Sequence, residues 1–214
     1  MQRKTKIITT VTATLALLAL GSGTALQIHA ANDVSSVSQT TAPTTATAAG
    51  TKLKANSASG TKQNYQVDYS ASDSQSATYK KTTYGSTNTA AKQVDYVGGN
   101  TSGTTVKLNK QTTAVVQGTM GHTYVHWNKG DWSVTAVTSN ADESGTPTQF
   151  AKQVNRQITK SSLPTSADTG AVTVYSQTDD DEANEVTWRD GKQVYNVTGT
   201  TADATVKVAQ NADN

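Results

Sequence analysis

From Gln63 onward the chain repeats one texture: short runs rich in Val, Tyr, Trp and Thr, alternating apolar with polar, separated by clusters of Gly, Asn, Asp and Ser. Period-two alternation gives a strand one apolar and one polar face, so such a chain must pair its strands into a sheet and cover one side of it. Ten runs fit the pattern: Tyr65 to Tyr69, Thr78 to Tyr84, Gln93 to Val97, Thr104 to Leu108, Thr113 to Gln117, Thr123 to Trp127, Trp132 to Val137, Ala171 to Tyr175, Glu185 to Trp188 and Gln193 to Thr198. Two stretches have helical spacing instead. In Thr146 to Ser162, Phe150, Ala151, Val154 and Ile158 share a stripe, Thr146 can cap, Pro147 suits the first helical position and Leu163-Pro164 ends the segment. Thr201 to Ala212 sets Ala202, Val206 and Ala209 at i, i+4 and i+7. The expectation is an α+β fold, an antiparallel β-sheet with two helices packed on one face.

Within this region one pattern occurs twice. Val125-His126-Trp127-Asn128-Lys129-Gly130-Asp131-Trp132-Ser133-Val134 is echoed by Val186-Thr187-Trp188-Arg189-Asp190-Gly191-Lys192-Gln193-Val194-Tyr195-Asn196-Val197. Polar residues and a glycine make a hairpin turn, Asp190-Gly191 being the stronger signal, and the flanking aromatic and valine side chains supply a buried face. With the valine-rich strand before each copy and the helix after it, residues 111–162 and 171–214 read as two β-β-β-α repeats. They lie inside one α+β domain, 63–214, whose shared core would hold Trp127, Trp132, Trp188, Tyr195, Phe150, Val154, Ile158 and Val206.

Ahead of that domain the composition changes. Arg3, Lys4 and Lys6 precede an uncharged stretch from Ile7 to Leu20 and then small residues, the order of a secretory signal peptide over residues 1–30, cut between Ala30 and Ala31. The alternative is an uncleaved anchor on the outer face of the cytoplasmic membrane, since Ile7 to Ile28 is close to the ~20 residues a spanning helix needs. Residues 31–62 are dominated by Thr, Ala, Ser, Asn and Gly, with Val34, Val37 and Leu53 as their large aliphatics, and read as a disordered linker too poor in apolar area to offset its ordering entropy. Losing Arg3, Lys4 and Lys6 would turn the formal charge from +2 to −1, which leaves no basic excess for nucleic acid.

Chemistry-bearing motifs are sparse. The absence of cysteine excludes disulfides, a thiol nucleophile, a cysteine zinc site and a lipid-modified cysteine. His122 and His126, four apart on a strand, would sit about 13 Å from each other, too far to share a metal, and no G-x-S-x-G elbow accompanies either. The carboxylates available for glycoside hydrolysis are Glu143, Glu182 and Glu185 with the aspartates, and no spacing pairs them. Asp179-Asp180-Asp181-Glu182 is the densest acidic run, a turn or a calcium site without the glycine and alternate spacing of an EF-hand loop. Leu163-Pro164-Thr165-Ser166-Ala167 departs from a sortase signal at its last two positions and has no hydrophobic tail after it. Tyr124, Trp127 and Trp132 are the candidate ligand platform for carbohydrate or peptide, although aromatic residues at hairpin spacing are more often core. No catalytic, cofactor-binding or metal-binding residue is assigned, and no cofactor is expected.

Trp188, Gly191, Tyr195, Val197 and the helix near Val206 to Ala209, about the last 30 residues, resemble the C-terminal domain of unknown function of Gram-positive anti-sigma factors and sporulation lipoproteins. There a Trp-x-x-Gly-x-x-Tyr-x-Val/Leu strand pair precedes a closing helix. The whole chain also looks like small secreted or surface proteins of lactobacilli of uncharacterised function. The resemblance implies a place outside the membrane and, in some related domains, lipid or peptide held in the concave side of the sheet; it transfers no catalytic residue. The expected function is a secreted or cell-surface-associated, non-catalytic binding or structural role at the envelope of a Gram-positive bacterium. A cell-wall polymer or another envelope component is the candidate partner. The alternatives are an extracytoplasmic carrier or sensor of lipid or hydrophobic peptide, and a wall-active hydrolase.

Overall fold

A computed structural model describes residues 32–99, 102–178 and 182–212 of the chain. The expected signal peptide and its cut at Ala30 and Ala31 lie outside the described residues, as do Asp179, Asp180 and Asp181 of the acidic run. Among the described residues no helix is long and apolar enough to cross a membrane.

The elements follow in the order β1 (Asp33–Val34), β2 (Thr45–Ala48), β3 (Thr51–Thr61), β4 (Tyr65–Ser70), β5 (Ser76–Thr83), α1 (Thr87–Ala91), β6 (Thr104–Lys107), β7 (Thr113–Thr119), β8 (His122–Lys129), β9 (Trp132–Ser139), α2 (Pro147–Lys160), β10 (Thr169–Tyr175), β11 (Asn184–Asp190), β12 (Gln193–Gly199) and α3 (Ala202–Gln210). All twelve strands join one sheet in the order β1-β3-β4-β5-β12-β11-β10-β9-β8-β7-β6, with β2 also on β3. Every pair is antiparallel except β9 and β10, which run parallel. A parallel pair needs a crossover, and α2 supplies it. Both echoed hairpins are present, Trp127 opposite Val134 and Trp188 opposite Tyr195, each turning at a glycine with positive φ, +57° at Gly130 and +58° at Gly191.

Pairing register places Val125, Trp127, Trp132, Val134, Ala136, Val172, Val174, Val186, Trp188, Val197 and Tyr79 on one side of the sheet, and all of them belong to a single core cluster. α2 contacts β8 and β9, whereas α3 contacts β5, β10, β11 and β12. The centre is aromatic. Trp188, 1% exposed, stacks on Tyr195 at 5.1 Å and meets Tyr79 edge-on at 6.0 Å and Trp132 at 6.3 Å. Gly170 is obligatory beside it, because a Cβ there would run into the Trp132 indole.

Two expectations are corrected. Residues 31–62 are not a disordered linker, since β1, β2 and β3 lie within them and Val34, Ala46, Ala48 and Leu53 are buried core members. The reason is α3: β2 packs against it, so small alanines that carry little hydrophobic signal still bury completely. Tyrosine hydroxyls pin the segment, Tyr69 donating to the Pro43 carbonyl at 2.6 Å and Tyr65 bonding the Thr41 hydroxyl at 2.8 Å. The compact unit accordingly begins at Asp33 rather than Gln63.

Gln93 to Val97 is likewise no strand. β5 sits mid-sheet and β6 at its edge, so the connection between them must cross several strands, and it does so on the side away from the main core. There the third helix, α1, which the sequence did not announce, contacts β12, and Asn128 donates to the Val97 carbonyl at 2.9 Å. Backbone groups that would have paired in a ladder bond a side chain instead.

Candidate functional site

The topology brings one end of the sheet to a focus. β9, β10 and β12 end there, β11 begins there, and because each helix follows a strand that ends there, α2 and α3 both present their N-termini to the same place. Between the two helix starts and the strand ends lies a cleft of about 490 Å³.

The helix starts are built by threonine caps. Thr146 Oγ1 accepts from the Gln149 amide at 3.2 Å while Gln149 Oε1 accepts from the Thr146 amide at 2.9 Å, a reciprocal capping box. Thr201 Oγ1 accepts from the Ala204 amide at 3.1 Å. The remaining first-turn amides of both helices carry partial positive charge toward the cleft. Strand ends form the opposite wall. Asn184, fully buried, accepts from the Tyr175 amide at 2.9 Å and donates to the Gly199 carbonyl at 3.3 Å, holding β10, β11 and β12 together where they meet the opening.

Asp142 is the fixed charge of the site. It accepts from the Ser144 amide at 2.8 Å, the Ser176 hydroxyl at 2.5 Å and the Gln177 side-chain amide at 3.1 Å. The Ser144 hydroxyl, then Ser176 and the Ser144 amide, hold its carboxyl below the ordinary aspartate range. At the floor Thr138 is 2% exposed, and its hydroxyl has no hydrogen-bond partner among the described residues. Gln149, Gln153 and Arg156 line the α2 side, Gln153 and Arg156 being exposed; Thr200, Thr201, Ala202 and Asp203 line the α3 side. The cleft is therefore a set of positioned hydroxyls, amides and carboxylates with the half-buried Phe150 ring beside them. It can accept and donate many hydrogen bonds at once; its ionised Asp142 is suited to accepting them and not to protonating a leaving group.

The residues singled out in the sequence lie mostly elsewhere. Trp127 and Trp132 are 2% and 7% exposed and belong to the core. Tyr124 points to the other side of β8, where its strand neighbours are Val137 and, beyond it, Tyr175. The platform of Tyr124, Trp127 and Trp132 is therefore not formed, because alternation along a strand sends positions 124 and 127 to opposite faces. His122 pairs with Glu182 at 3.0 Å. His126 is buried, its Nδ1 3.1 Å from the Thr135 hydroxyl and its Nε2 without a partner, and burial pushes its pKa down. Glu185 accepts from Thr187 at 2.7 Å and from Asn196, on the face away from the core. Glu143 is exposed in the loop after β9. Leu163 and Pro164 are buried, which places the sortase-like pentapeptide against the core. Among the described residues no group of three or more His, Cys, Asp or Glu could hold a metal ion. Comparison with protein-family models, curated proteins and solved structures finds no match to this chain.

Proposed function

We propose that the chain is a secreted or cell-surface-associated, non-catalytic binding protein of a Gram-positive envelope, and that the cleft at the N-termini of α2 and α3 is where it engages its ligand. The observation that carries this reading is the cleft's chemistry: hydrogen-bonding groups held in place by caps, strand staples and the three bonds to Asp142. Preformed polar groups in a concavity are what a binding site requires.

The two alternatives draw less support. A carrier of lipid or hydrophobic peptide needs an unfilled apolar concavity, whereas Trp188, Tyr79, Val174 and Val206 fill the space between sheet and helices. A hydrolase needs a carboxyl whose pKa is raised so that it can donate a proton, and the cleft's Asp142 is shifted the other way. We also read the runs from β7 to α2 and from β10 to α3 as one β-β-β-α unit used twice. Trp127 and Trp188 hold the same place on the middle strand of each, and the helices close them on a common core.

The test is expression of the full chain in a Gram-positive host, fractionation, N-terminal sequencing and incubation of the recovered protein with purified envelope. Expected is a chain beginning at Ala31 or Asn32, found in the medium or on the envelope, that sediments with envelope and leaves it chemically intact. An uncut chain confined to the cytosol, or release of soluble wall fragments, would overturn the reading.

A further inference from the structure

We infer that the cleft between the N-termini of α2 and α3 is a site for a neutral, hydroxyl-rich ligand of the oligosaccharide class. The inference rests on the binding reading above and names the ligand it leaves open. Gln149, Gln153 and Arg156 fall at i, i+4 and i+7, one stripe along α2 about 10 Å long, which is the reach of a disaccharide. Across the gap stand Thr200, Thr201 and Asp203. Side-chain amides both donate and accept, carboxylates accept and a guanidinium donates. That mixture matches sugar hydroxyls, each of which does both. The Phe150 ring supplies the small apolar patch that a sugar's C–H face needs.

Other ligand classes fit poorly. An acyl chain would find Phe150, Tyr175 and Ala202 as its apolar surface in a lining otherwise of polar side chains. A phosphate or carboxylate would meet the two helix N-termini and the Arg156 guanidinium but also the carboxylates of Asp142 and Asp203, and a divalent cation would meet that guanidinium with Asp142 already accepting three bonds. The floor points the same way. Thr138 is buried with its hydroxyl unpaired among the described residues, a costly state that a ligand hydroxyl lodged at the bottom of the cleft relieves.

The full chain is titrated with chitotetraose, cellotetraose and maltotetraose as the neutral saccharides, and with the muramic-acid-containing disaccharide of peptidoglycan as a saccharide that carries a carboxylate. Inorganic phosphate, calcium and palmitate serve as competing chemistries. The readouts are calorimetry and the NMR cross-peaks of the Gln149 and Gln153 side-chain amides. At least one saccharide should move those cross-peaks. The double variant Gln153→Ala with Arg156→Ala, both residues being exposed, should weaken that binding at least tenfold while leaving the melting temperature unchanged. Silence with every saccharide, saccharide shifts confined to other residues, or undiminished binding by the double variant overturns the inference. If whole envelope retains the double variant as well as the parent, the cleft assignment falls and the broader binding reading stands. If envelope retains neither, both fall.

Discussion

The two long helices share a core but not an environment. α2 buries Ala151, Val154, Asn155 and Ile158 along one stripe and turns the rest of its circumference to solvent and cleft. α3 buries Ala204, Thr205, Val206, Val208, Ala209 and Gln210, six of its nine residues, because it contacts β2 as well as β5, β10, β11 and β12. Their ends are tied together, Gln210 donating to the Ser161 carbonyl at 2.6 Å and to the Gln157 carbonyl at 3.2 Å. The difference teaches that α2 is a covering element, stable by amphipathicity and a strong cap, whereas α3 is a more deeply buried element that draws part of its packing from β2, some 150 positions earlier in the chain.

The largest effect should come from the floor that both share. Trp188→Ala removes the ring beneath the helices and should cost about 3 to 5 kcal/mol; in urea denaturation with amide exchange, both helices should lose protection together. Leu53→Ala, at a residue 0% exposed on the N-terminal wall, should cost about 2 to 5 kcal/mol and separate the helices. α3 amides should open at lower urea than those of α2, and equal opening would mean that α3 does not depend on this wall. Cap deletion sharpens the contrast at a smaller scale: Thr146→Ala and Thr201→Ala should each cost about 1 kcal/mol. The first should fray α2 visibly in exchange data, while the second leaves a helix held by the burial of most of its residues.

Acid is the smallest perturbation and should spare the contrast, since His126 lies on the other side of the sheet. Burial holds its folded pKa below the 6.5 of the free ring, so the unfolded chain binds the extra proton first. Its contribution to stability is complete above about pH 6.5 and is lost as pH falls from there toward the folded value. Denaturation midpoints measured across pH 5 to 8 should show that decline, and His126→Gln should flatten it.

What the sequence revealed divides along physical lines. The hairpins were legible because a turn glycine and alternating large side chains coincide at Gly130 and Gly191, and α2 because Thr146-Pro147 announces a start and Ala151, Val154 and Ile158 a stripe. The N-terminal strands were not, because Ala46 and Ala48 gain their burial from a helix far away in the chain and no local count of apolar residues reflects it. Tyr96 and Val97 have the look of a strand, but the demand that the chain cross from β5 to β6 is topological and only the whole sheet reveals it. The cleft residues were missed for a related reason: Gln149, Gln153, Asn184 and Thr201 form no motif and converge only through strand order. The signal that was available was the pair of capping threonines, each following a strand. The parity of positions 124 and 127 was also readable, and already forbade a platform containing both.

β12 closes the sheet from its middle. It is the last of the described strands in chain order, yet it lies between β5 and β11, pairing Thr78 with Thr198 and Val186 with Val197. Until it arrives, a growing chain holds two half-sheets with bare edges at β5 and β11 and no means of joining them. Closure of the sheet thus waits for β12 and for a contact between residues about 120 positions apart, which makes for slow folding. A protease cutting between β11 and β12 would therefore part the two half-sheets rather than trim an edge.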